Sequence, residues 1–141
     1  MIQRSLSLTL SQRTALVTVD TARAVRGVDA ESILAEIEDG RIPWVWDIAL
    51  PGSERRELRI WAEALLSAEC GARSAESVIG EIIGTTRPTL RGSEVERLLL
   101  CSAQMIMRLH AAGELAGALV GHTRHLRRDS LAEFLRRRRV A

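Results

Sequence analysis

Two stretches of the chain carry the same alternation of apolar and polar positions. In "SEVERLLLCS", Val95, Leu98 and Leu99 recur at helical spacing behind a serine that can cap the first turn, and a tight turn at Leu100 and Cys101 follows. Ser102 then predicts a second helix running through Ala112. Ile106 and Leu109 fall on its inner side, and Gly113 stands where a helix ends in the left-handed conformation. "ELAGALVGHTRHL" gives two strand-like runs, Ala118 to Val120 and Arg124 to Leu126, around a turn at Gly121 to Thr123. "DSLAEFLRRRR" closes the pattern as a helix with Asp129 at its positive end and arginines at its negative end. Leu131, Phe134 and Leu135 form its buried stripe.

The same order occurs earlier in the chain. "DTARAVRGVDAESILAEIEDGRI" predicts a helix at 20 to 26, a turn at Gly27 and Val28, a second helix capped by Asp29 and a stop at Gly40. Sliding it by 73 residues places Asp29 on Ser102, Ile33 on Ile106 and Gly40 on Gly113. The hairpin "WVWDIALPGSERRELRIW" is longer than its counterpart. Matching Ile60 to Leu126 requires seven extra residues, expected around the turn at Pro51 to Ser53. "AEALLSAE" supplies a closing helix. "SAESVIGEII", capped by Ser74, predicts a helix between the units, and "GTTRPT" with Pro88 reads as a flexible joint. "LSLTLS" near the start alternates as a short edge strand does.

These patterns predict an α+β chain, mainly helical, built as two tandem units with short β-hairpins. The boundaries are a first unit at 1–73, a linker helix and joint at 74–89, and a second unit at 90–141. Composition changes the picture in one respect. All twenty basic residues are arginine, which reads as a coding bias, and the net charge of +2 hides a gradient. Residues 1–73 hold 9 Arg against 11 acids, a net of −2, whereas residues 74–141 hold 11 Arg against 7, a net of +4. The second unit is therefore the expected home of any polyanion site. No run of 18 apolar residues exists, and the first residues lack the h-region and cleavage site of a secretory signal, so no membrane partner and a cytoplasmic location are expected. Cys70 and Cys101, with no ligand spacing around them, are expected to be reduced and partly buried.

Residues 90 to 139 resemble a known family. Ser-Glu-Val, the Leu-Leu pair, Ser102, Ile106 with Arg108 and Leu109, Gly113-Glu-Leu115, the glycine of the hairpin and the closing Ser-Leu-x-x-Phe-Leu are similar to the winged helix-turn-helix domain of phage excisionases and of MerR-type DNA-binding regions. The resemblance implies two tandem winged helix-turn-helix units, the first strongly diverged. It also implies double-stranded DNA as partner, read by a helix in the major groove with the wing in the neighbouring minor groove. The role it implies is that of a transcription regulator or a recombination or partition accessory factor.

The side chains suited to that chemistry can be named. At 100° per residue Gln104, Met107, Arg108 and Ala111 lie opposite Ile106, and glutamine and arginine are matched to adenine and guanine edges. Ser102 caps this helix. His122, Thr123 and Arg124 would form the wing tip, with Arg127 and Arg128 beside it. Arg136 and Arg137 belong to a run of four arginines able to neutralise phosphates. His110 falls on the edge of the buried side and reads as a packed, hydrogen-bonded histidine. The equivalent face of the first unit carries Glu31, Leu34, Ala35 and Glu38, which phosphate would repel. That unit is expected to pack against a protein partner, a second copy of the chain as a homodimer, or the second unit. Glu31 and Glu38 are its candidate interface residues, with Trp44 and Trp46 if their indoles are exposed rather than in the unit's own core. The histidines of "GHTRHL" have no third or fourth ligand nearby, so neither metal nor cofactor is expected. No nucleophile with a base and no glycine-rich phosphate loop appears, so an enzyme is not expected. The rival expectation is an adaptor that keeps the fold and binds protein through the Trp-bearing hairpin and the acidic helix.

Overall fold

A computed structural model describes residues 14–141, so the strand expected in "LSLTLS" lies outside the described residues. Those described form an α+β fold of seven α-helices and two three-stranded antiparallel sheets. The order of elements repeats. Strand β1 (Leu16–Thr18), helices α1 (Val19–Arg26) and α2 (Ala30–Glu38), strands β2 (Val45–Asp47) and β3 (Leu58–Trp61) and helix α3 (Ala62–Leu66) come first. A 3₁₀ turn (Ala68–Ala72) and helix α4 (Ala75–Ile83) follow. Then β4 (Thr89–Arg91), α5 (Gly92–Leu99), α6 (Ala103–Ala111), β5 (Gly117–Val120), β6 (Thr123–Arg127) and α7 (Arg128–Arg138) repeat the first series. The sheets have matching orders, β1-β3-β2 and β4-β6-β5.

The repetition extends to single hydrogen bonds. Asp29 caps α2 by accepting from the Ser32 amide at 2.8 Å, and Ser102 caps α6 by accepting from the Met105 amide at 3.1 Å. Arg41 N donates to Glu36 O at 2.9 Å, and 73 residues later Glu114 N donates to Leu109 O at 2.9 Å. Ala62 N binds Ala15 O at 2.8 Å as Arg128 N binds Pro88 O at 2.9 Å. Between the paired helices the chain turns through a left-handed residue in both units, Gly27 at φ 68° and Leu100 at φ 55°. That conformation is nearly free for glycine and costs a leucine roughly 1 kcal/mol.

Of the seven extra residues in the first unit, six do lengthen the loop between β2 and β3, where Asp47 faces Leu58 across residues 48–57. The seventh enters ahead of β2, at Pro43 and Trp44. Trp44 takes φ 68° there and lies outside the strand, so the two indoles do not share a strand face. Both are buried, with ring centroids 6.3 Å apart. This corrects the expectation that Trp44 and Trp46 form an outer interface: they are core residues.

Strands β1 and β4 have no signature of their own in the sequence, and β4 begins immediately after Pro88 in the stretch expected to be a loose joint. That stretch is instead tied down. Pro88 O accepts from Arg128 N, and Arg87 grips Glu94 through two contacts of 2.6 Å. The Arg87 hydrogen bond pulls the Glu94 carboxyl down to about 2. Helix α4 packs along α7 and buries Val78, Ile79, Ile82 and Ile83. The buried apolar residues of both units and of α4 join in one cluster. No helix of the described residues is long and apolar enough to cross a membrane.

Gly117 shows how tightly the second hairpin closes. A methyl group there would overlap the His125 carbonyl and the Leu126 backbone of the neighbouring strand. Gly117→Ala is expected to lower stability by about 2 kcal/mol through overpacking, read as a shift in the urea midpoint. A midpoint equal to that of the parent chain would show that β5 is not held against β6.

Candidate functional site

Helix α6 is set by three local features: the Ser102 cap, the apolar pair Ile106 and Leu109 turned inward, and the left-handed turn at Leu100. Its opposite side is open. Gln104, Met107, Arg108 and Ala111 are all exposed, as the helical period predicts. Arg108 makes no ion pair or hydrogen bond through its side chain among the described residues, and Gln104 likewise makes none. Burial pushes the Cys101 thiol, just ahead of the cap, up to about 11, so it stays protonated at neutral pH. Cys70 and Cys101 are both free and partly buried, as expected.

Beside α6 lies a groove of about 320 Å³ formed with the start of α5 and the second hairpin. Arg91, Ser93, His122, Thr123 and Arg124 line it, with Glu96 as its acid. His122 and Thr123 are exposed at the hairpin tip. Arg124 is half-buried and donates from Nε to His110 Nδ1 at 3.0 Å, which locks the hairpin to α6 and gives His110 the packed role expected of it. Arg91 escapes a reading of the sequence by periodicity. It precedes α5 as Thr18 precedes α1, and the 73-residue offset, carried one element further back, is the signal that marks it.

The first unit has the same groove with other chemistry. Its lining, in a space of about 480 Å³, includes Asp20 and Glu57 against Arg56 and Arg59. Arg59 is only 7% exposed and is spent on backbone carbonyls. Its Nε donates to Leu99 O at 2.7 Å and its Nη2 to Leu100 O at 2.9 Å, so it clamps the turn ahead of α6. On α2 the acids Glu31 and Glu38 are exposed along with Leu34 and Ala35. The acidic face is therefore open to solvent.

The arginines expected to surround the site divide sharply. Arg127 is held by Asp129 at 2.7 Å, and Arg128 reaches Gly84 O at 3.1 Å. Arg136 binds Glu76 at 2.7 Å and Glu133 at 2.9 Å, while Arg137 binds Glu114 at 3.0 Å. Donating hydrogen bonds to these carboxylates stabilises the charged forms of Arg127 and Arg136. The run of four arginines is thus not a free polycationic end: each of its members has a partner within the chain. Arg138 donates to Ala49 O at 2.6 Å, and Arg139 stacks 3.6 Å over the Trp44 ring, where burial lowers its pKa. Beyond Arg139 the chain pairs with β2: Val140 N donates to Val45 O at 2.8 Å, and Trp44 N and Val45 N donate to Ala141 O at 3.1 Å. The Trp-bearing segment of the first unit does meet a partner, and that partner is the end of the second unit.

Strand β5 is the open counterpart of β2. It forms the outer edge of its sheet, carries no charge, and exposes Leu119 at 58% and Val120 at 62%. No cluster of three or more metal-ligating side chains exists among the described residues. No family model matches the chain, and no curated protein or solved structure matches it.

Proposed function

We propose that the chain is a sequence-specific double-stranded-DNA-binding protein, and that its second unit is a winged helix-turn-helix domain with α6 as the helix that enters the major groove. One observation carries this reading. Arg108 stands on the exposed face of a capped helix, one turn from Gln104, and neither side chain has a partner among the described residues. A rigid helix presenting an unpartnered guanidinium and an amide on one face is matched to the donor and acceptor pattern of base edges. The groove beside it supplies Arg91, Ser93 and Thr123, which suit the phosphates flanking those bases. The role is regulatory: occupying an operator, or shaping a recombination or partition site. The acidic α2 face keeps the first unit from reading a groove in the same way, and that unit serves to brace the second.

The test is selection of a preferred duplex from a random pool, followed by binding of Arg108→Ala to the selected and a scrambled duplex. The variant is expected to lose about tenfold to a hundredfold on the selected site and little on the scrambled one. Equal loss on both would mean that Arg108 does not read bases.

A protein-binding reading has one observation in its favour, the uncharged apolar edge at β5, since such edges recruit a further strand unless blocked. It draws nothing from Trp44 and Trp46, which are buried. A full-length chain that fails to shift random duplex at low salt would favour this second reading.

A further inference from the structure

Helix α6 has two flanks. Ala103 and Ile106 face the groove shared with the second hairpin. On the other side Cys101, Ser102 and Met105 line a cavity of about 280 Å³ together with Ile48, Glu57 and Arg59 of the first unit. Around the helix, Gln104 and Arg108 lie between Met107 and Met105, on the side that turns toward the first unit. The base of the long β2–β3 loop therefore stands next to the start of the proposed reading helix, as the wing does on the opposite side.

That loop is long and pinned, a combination more often found in binding loops than in plain connections. The Asp47 carboxylate accepts from both sides of its neck, from Ala49 N and Glu57 N at 3.0 Å each. Ser53 N closes a turn on Leu50 O at 3.0 Å, and Ser53 Oγ bonds the Arg55 backbone. Arg138 holds Ala49 O from the far side. On this frame Arg55 is exposed, with no side-chain partner among the described residues, and Arg56 has only a loose 3.9 Å approach to Asp47. Glu57 lies 3.5 Å from Arg59, so its charge is partly neutralised within the neck, while Glu54 remains as the loop's unpaired acid.

We propose that the β2–β3 loop of the first unit is a second wing: Arg55 and Arg56 bind backbone phosphates of the same duplex that α6 reads, on the side away from the β5–β6 hairpin. This rests on the DNA-binding reading above and assigns the first unit a direct contact through its loop, not through the acidic α2. Phosphate contacts of this kind are independent of sequence and release counterions.

The experiment uses the full chain and a 25-base-pair random-sequence duplex, with affinity measured by fluorescence anisotropy across a salt series. A double variant, Arg55→Ala with Arg56→Ala, is compared with Arg23→Ala and Arg41→Ala together, two exposed arginines of the same unit outside the loop. The loop variant is expected to bind about tenfold more weakly at low salt, with a log–log salt slope reduced by about 1 to 2, while the control matches the parent chain. A loop variant equal to the control in affinity and slope, with Arg108→Ala still losing selectivity, overturns the second wing and leaves the reading of α6 intact. A parent chain that does not bind the duplex at low salt overturns both.

Discussion

Replacing Arg59 with methionine is expected to cost the chain about 3 kcal/mol of stability, the range for removing one partner from a buried charged network. The guanidinium makes three short bonds to carbonyl oxygens, those of Leu58, Leu99 and Leu100, inside a nearly closed site. Methionine fills much of the volume and supplies no donor. The Leu99 and Leu100 carbonyls, at the end of α5 where no helical partner remains, would then be buried and unsatisfied. Leu100 is also the residue held in the left-handed conformation. At the equivalent turn the first unit uses Gly27, which needs no such restraint. Lysine should recover less than half of the loss, because one ammonium cannot reproduce the planar fork that reaches two adjacent carbonyls. Urea unfolding followed by circular dichroism measures both variants. A methionine variant within about 0.5 kcal/mol of the parent, the ordinary range of a surface substitution, would show that water replaces the guanidinium without penalty, and that the clamp between the units is not structural.

The elements legible in the sequence are those whose boundaries are written locally. Asp29 and Ser102 cap helices, Gly40 and Gly113 end them, and the spacing of Ile33 and Ile106 sets which side is buried. The exposed face of α6 follows from that period alone, so helical spacing is enough to single out Gln104 and Arg108. What escaped depends on distant partners. Strands β1 and β4 are three residues each, too short for alternation to register, and exist because β3 and β6 pair with them. Arg91 is hidden along with β4. The arginines at 136 to 139 read in the sequence as a run free to neutralise phosphates because Glu76, Glu114 and the Trp44 ring, which hold them, lie between 23 and 95 residues away. Arg59 resembled any polar residue in a strand. Its burial is imposed by the carbonyls of a turn 40 residues downstream.

Deleting Arg139, Val140 and Ala141 is expected to destabilise the chain by about 2 to 3 kcal/mol. That figure combines the lost backbone pairing with β2, at about 0.5 to 1.5 kcal/mol per hydrogen bond, with the cation–π contact on Trp44. Deletion strips Trp44 and Val45 of the partners their amides now have, and it uncovers the edge of the first sheet. Trp44 emission should shift to the red as the Arg139 guanidinium leaves its face, whereas Trp61, which lies under Arg73, should change little. The result bears on function because a basic end is easily taken for a phosphate clamp. If the tail only fastens the two units, the truncated chain will bind duplex DNA with the salt slope of the parent once the comparison is made well below its unfolding midpoint. A slope reduced by about 1, roughly one lost phosphate contact, with stability unchanged, would reverse this reading and place Arg139 on the proposed DNA-binding surface. The geometry favours the first outcome. A guanidinium stacked on an indole, on a segment hydrogen-bonded to a strand edge, would have to give up both contacts to reach a phosphate.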